Sequence, residues 1–260
     1  MLFIYFFFLT GFGDGMLPAL PKENSAETVH WKKESMNFSG GNSKIARKDF
    51  RLGRTFDSIA SYDAEKATIA QLRKQLINDL AGKKVSIEDV KASFSDHLVN
   101  HLIPHWYGTE WSFGGHTSVP KKGKIACGYF VSTTLRDMGL RLNRYRLAQK
   151  SPINEAKMIS CGSEIKTVTS ADSETAIQKI DALTQEGISF IGFDEGHVGF
   201  LLKKKGELFL VHSNYLFPNS VCLERIEESN VFKKFSTFHL VDISNNNELI
   251  KRWLNNREIL

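Results

Sequence analysis

Between residues 188 and 243 the chain is a series of short apolar runs cut apart by turn-forming residues, and no other feature limits its possible folds so strongly. The runs cover 188–193, 197–203, 208–213, 221–226 and 235–243, and the first breaks are Asp194-Glu195-Gly196 and Lys203-Lys204-Lys205-Gly206. Apolar runs of this length between glycine and charged clusters read as strands, and links this short make neighbours antiparallel. Helical text comes first and strands afterwards, which is the order of an α+β fold with helices packed on an antiparallel sheet.

The helical half starts near residue 55. Ile59, Tyr62, Ala67, Ile69, Leu72, Leu76, Ile77 and Leu80 recur every three or four positions up to Gly82. A second helix opens at Ser86, whose hydroxyl suits an N-cap, and runs through Val90, Phe94, Leu98 and Leu102 to an expected stop at Pro104. His97, His101 and His105 follow one another at four-residue spacing, as metal-binding histidines do. With no HExxH glutamate, and with Pro104 ending the helix before the third, a solvated or core-flanking histidine face is the reading, and no metal or cofactor is expected. Further helices are expected over 147–158, 173–186 and in the tail 245–260.

Chemistry enters at Cys127. It follows a turn-rich, glycine-containing segment and opens an amphipathic helical pattern, so it stands where free N–H groups and the helix dipole favour a thiolate. A small buried residue opening a core helix is the plainer alternative. Downstream, His197 and His212 fall on strands that pair across the 203–206 turn. A cysteine helix laid on a sheet that carries a histidine, with a second polar residue on the next strand, yields a Cys–His–polar triad. Asn214 shares a strand face with His212 and competes with it as the residue that orients the imidazole.

The cysteine at the head of a helix, the Gly196-His197-Val198-Gly199-Phe200-Leu201 strand, the hairpin and the Val211-His212-Ser213 strand resemble the NlpC family of cell-wall cysteine peptidases. The likeness covers roughly residues 100 to 243. It implies a papain-like fold and a Cys127–His197–His212 triad, with a stem peptide of peptidoglycan as substrate. Where the family usually has Asp before the cysteine and Ser after it, Ala126 and Gly128 stand here. The family also has a Tyr-containing, glycine-rich segment upstream that helps to form the oxyanion site. Trp106-Tyr107-Gly108 is the corresponding text, and these three residues are expected to line the substrate cleft, unless the aromatics are core.

The apolar run at the N-terminus is too short to span a bilayer and has the length of a signal-peptide core. The expected organisation is therefore a signal peptide over 1–17, a polar arm over 18–54, a helical extension over 55–103 packed on the catalytic domain, and that domain over 104–260. A secreted or periplasmic protein follows, with no membrane span after processing. The net charge of +5 suits an anionic cell-wall polymer, and no nucleic-acid motif is present. Of the three cysteines, Cys161 and Cys222 are the pair left for a disulfide if Cys127 is the nucleophile, although Cys222 also reads as a buried strand residue. Two other functions fit the same text: an acyl transferase or transglutaminase-like enzyme on the same triad, and a secreted binding module on a papain-like scaffold.

Overall fold

A computed structural model describes residues 61–194 and 196–259, all within one unit spanning Ser35–Leu260. The expected signal peptide and polar arm lie outside the described residues. The fold is α+β. Helices α1 (Tyr62–Ala81) and α2 (Ile87–Asp96) lead through shorter pieces to α4 (Cys127–Asp137), α5 (Arg144–Ala148) and α6 (Pro152–Ser160). Then come β1 (Lys166–Thr169), α7 (Ser173–Leu183), β2 (Gly187–Phe193), β3 (His197–Lys204), β4 (Glu207–Ser213), β5 (Val221–Arg225), β6 (Thr237–Asp242) and α8 (Asn247–Leu254). The six strands form one sheet in the order β1-β6-β2-β3-β4-β5, every neighbour antiparallel.

Local chemistry sets the helix ends. The Ser61 hydroxyl accepts from Ala64 N–H at the head of α1, and Ser86 with Asp89 forms a reciprocal capping box on α2. The helix does not stop at Pro104. A π-helical turn, His97–Leu102, follows α2 and leads into α3 (Ile103–Trp106), which contains the proline. Proline has no N–H to give the carbonyl four residues back and its ring presses on that carbonyl, so the wider turn absorbs both defects. The single helix expected over 147–158 is two, because Pro152 begins a new one at its first position. Strand β1 was not expected. Its run is short, and it pairs only with β6 at the sheet edge, so little hydrophobic patterning marks it.

The sheet is covered on both faces. Val198, Phe200, Leu202 and Val211 join α4 and the N-terminal helices in the larger core, with Phe130 of α4 edge-on to Phe200 at 5.7 Å. Leu201, Leu208, Leu210 and Phe193 face the other way, toward α7 and the stacked rings of Phe232 and Phe238. Ile69, Val90 and Phe94 belong to the same core as Phe130, so α1 and α2 share the core of the sheet domain. Trp253 of α8 joins these parts. It is fully buried, stands edge-on to Phe94 at 5.0 Å and donates its indole N–H to Met138 O at 2.7 Å. Trp253→Ala is expected to cost about 3–5 kcal/mol of stability, read as a lower midpoint in urea unfolding at unchanged slope.

Candidate active site

Two tethers bring the cysteine helix to the sheet. Ser213, the residue after His212, donates its hydroxyl to Ile125 O at 2.7 Å, two residues before Cys127. The buried Arg144 guanidinium donates to Thr133 Oγ1 of α4 at 2.6 Å, to Thr117 O at 3.1 Å and to His116 O, fixing the preceding loop on the same helix. Ala126 offers no side-chain cap to α4. The first N–H groups are left for the thiol: those of Cys127 and Gly128 both act on it, together with the N–H of Val198 on β3.

Gly128, where the resembled family has Ser, has no room for a side chain. A Cβ there would lie 2.8 Å from Ala148 O and 3.0 Å from Glu155 Oε1. Gly199 has a comparable role in the sheet. The β3–β4 ladder ends at Phe200–Val211, and a Cβ at 199 would lie 2.9 Å from His212 Cβ. The missing side chain lets the two histidines meet.

His197 Nε2 and His212 Nδ1 are 2.7 Å apart, and His212 Nε2 is 3.1 Å from Glu224 Oε1. His197 Nδ1 is buried with no hydrogen-bond partner. Burial tends to raise the Glu224 carboxyl, but the hydrogen bonds from His212 and Ser229 outweigh it and hold the group below its usual range, as a carboxylate. Burial lowers both imidazoles, and the two rings oppose each other's charge at His197, so both are neutral. The proton positions follow from the acceptor-only end. His212 donates from Nε2 to Glu224, accepts at Nδ1 from His197 Nε2, and leaves His197 Nδ1 as a bare acceptor. Glu224 was not anticipated from sequence. The signal was strand parity, since Cys222 pairs with His212 across β4–β5 and Glu224 lies two residues on, on the same face.

Three expectations need correction. First, α4 does not cover the face that carries the histidines. Alternation puts His197 with Leu201, and His197 rests against Phe193 at 5.3 Å on the α7 side, whereas α4 packs on Val198 and Phe200. Cys127 reaches β3 from the opposite side, at the backbone of the residue after His197. Second, the thiol is not acidified. Burial pushes it from 9.0 up to about 11, against the N–H groups around it. That shift is about 3 kcal/mol against the thiolate, whereas a helix end supplies roughly 0.3–1 kcal/mol. Third, Trp106 is a core residue, fully buried and donating its indole N–H to Tyr62 Oη at 3.0 Å.

Tyr107 packs against the core, where burial first and the neighbouring Cys222 second raise its phenol, and Gly108, at φ 81°, bonds its N–H to Val221 O. Asn214 holds its own loop, donating to Phe217 O and accepting from Leu216 N–H. Tyr215 bears on both key groups. Its ring lies edge-on to His197 at 5.5 Å, and after burial the charge of Cys127 is what raises its phenol. All three cysteines are free thiols. Of the N-terminal histidines, His97 and His101 are stacked at 4.7 Å, and His101 lies between Glu65 and Asp96.

One further acid borders the site. Glu155 of α6 is buried beside Gly128, its Oε2 has no partner, and burial holds its carboxyl well above the usual carboxylate range. No family model, no curated protein and no solved structure matches the chain.

Two outcomes follow from these electrostatics. Iodoacetamide labelling of Cys127, followed by peptide mass mapping, should quicken about tenfold per pH unit over roughly pH 7–9, as thiolate forms below the raised pKa. Glu155 binds a proton in the folded chain that the unfolded chain releases near its ordinary 4.5. Its stabilising effect is complete below 4.5 and is lost as pH rises through the raised folded value. Glu155→Gln should therefore be more stable than wild type at neutral pH by about 1–3 kcal/mol in urea unfolding, and the gap should close near pH 4.

Proposed function

We propose that the chain is a secreted or periplasmic cysteine hydrolase of papain-like, NlpC type that cleaves an amide bond in peptidoglycan stem peptides. The observation that carries this reading is the hydrogen-bonded order His197–His212–Glu224, which leaves His197 Nδ1 as an unpartnered base at the strand end that Cys127 touches. An orienting residue on the strand after the hairpin is also what the family resemblance implies.

In this mechanism the resting pair is thiol and neutral imidazole. As Cys127 Sγ attacks the substrate carbonyl, its proton passes to His197 Nδ1, a transfer that requires the sulfur and the imidazole, which reach β3 from opposite faces, to meet around the first residue of the strand in the substrate complex, and the imidazolium so formed is stabilised through His212 by the Glu224 carboxylate. The Cys127 N–H donates to the tetrahedral oxyanion, and the Tyr215 hydroxyl takes the role of side-chain donor in place of that of Tyr107, because its phenol feels the charge of Cys127 and its ring lies against His197. Collapse expels the amine with the proton from His197 and leaves an acyl thioester. Water then gives its proton to His197 and attacks the thioester, and the acid product leaves as the thiol is restored. No cofactor takes part.

Incubating purified peptidoglycan with the protein should release fragments identifiable by mass, and Cys127→Ala should release none; an added amine appearing in the products would mark acyl transfer instead. His212→Ala should lower kcat by about 10²–10⁴-fold, whereas Asn214→Ala should act on thermal stability through its loop. Retained turnover in His212→Ala with loss in Asn214→Ala would reverse the assignment of the orienting residue.

A further inference from the structure

Cys222 has no part in the reaction just described, yet it stands inside the same cluster. Among the described residues, His212, Cys222 and Glu224 each offer a metal-ligand atom, and the three atoms lie within 4.8 Å of one another. Their placement comes from strand geometry. Cys222 is the direct partner of His212 in the β4–β5 register, and Glu224 follows two residues later on the same face. His212 Nε2 and Glu224 Oε1, at 3.1 Å, are already close to the spacing of about 3.3 Å between neighbouring ligands on a tetrahedral zinc. Asn214 Nδ2 is 3.8 Å from Cys222 Sγ, placed to donate to a thiolate there. His212 is fully buried, but Cys222 and Glu224 are only half-buried, so an ion has a way in from the sheet edge.

We propose that His212, Cys222 and Glu224 form a binding site for a divalent cation of the zinc type, and that its occupancy switches off His197 as a base. A thiolate, an imidazole and a carboxylate together suit zinc rather than magnesium or calcium, and three protein ligands leave one position for water. The switching part rests on the hydrolase reading; the site itself does not. A cation at His212 Nε2 takes the position of the proton now shared with Glu224. His212 then carries its one proton on Nδ1 and donates it to His197 Nε2, which obliges His197 to carry its own proton on Nδ1. Both rings stay neutral, and the one net proton released is that of the Cys222 thiol. In this tautomer His197 has no lone pair free for the Cys127 proton.

The test uses the full chain and two readouts. Titrating Cys127→Ala with cobalt(II) chloride should give a thiolate-to-metal absorption band that saturates at one equivalent and is displaced by zinc. The double variant Cys127→Ala, Cys222→Ser should lose the band and bind zinc at least about a hundredfold more weakly. No band in Cys127→Ala, or a band that survives Cys222→Ser, overturns the site. For the switch, ¹⁵N NMR of the histidine rings should show the His197 proton on Nε2 without zinc and on Nδ1 with one equivalent, and a tautomer that does not change overturns it. Peptidoglycan release by wild type should fall at least tenfold with zinc and recover with a chelator, while Cys222→Ser should be insensitive. Absence of any release without metal would instead reject the hydrolase reading, with the site still decided by the cobalt spectrum and the tautomer by NMR.

Discussion

Strand β3 is buried on both of its faces, and that single constraint shapes the rest. With α4 against Val198 and Phe200 and the α7 side against Leu201, the middle of the strand has no place for a polar group without a partner. Polar chemistry is confined to its first residue, where the ladder to β4 has ended. There the glycine at 199 lets β4 come close enough for one imidazole to hydrogen-bond another, and the carboxylate on β5 completes the chain. A row of three polar side chains on three adjacent strands replaces the unpaired buried charge that a lone residue would have left.

The elements that the sequence made legible are those with strong periodicity or strong punctuation. Five of the six strands could be read because each is an apolar run closed by glycine or charge, and α2 because Ser86 and Asp89 mark its start. The residues 127, 197 and 212 could be picked out because their types are rare and their spacing follows the hairpin. What remained hidden depends on burial and on approach between distant segments. Nothing local distinguishes Trp106 as a core side chain from a cleft-lining one, and nothing in Glu155 announces that α6 delivers it to Gly128. The raised thiol pKa belongs to the same class. The helix-end field can be read from position, but the desolvation that outweighs it exists only once the sheet and helices have packed around the half-buried cysteine.

The departures around Cys127 have physical reasons of their own. Alanine at 126 leaves the head of α4 without a side-chain acceptor, so its first N–H groups are available to the Cys127 sulfur. Glycine at 128 makes room for Ala148 O and for the Glu155 carboxyl, which burial holds well above the usual carboxylate range and whose charge, once formed, adds to the rise of the Cys127 thiol.

The strand order has a consequence for how the chain is made. β6 comes last along the chain but lies between β1 and β2, inside the sheet. During synthesis from the N-terminus, β2 to β5 can pair as a meander as they emerge, but one side of β2 stays an open edge, and β1 waits without a neighbour, until β6 has been released. The meander already holds His197, His212 and Glu224, so the hydrogen-bonded row can assemble while the sheet is still incomplete. The protein thus passes through a stage in which its polar chemistry is built on an unfinished, aggregation-prone edge, and the last strand to emerge closes it.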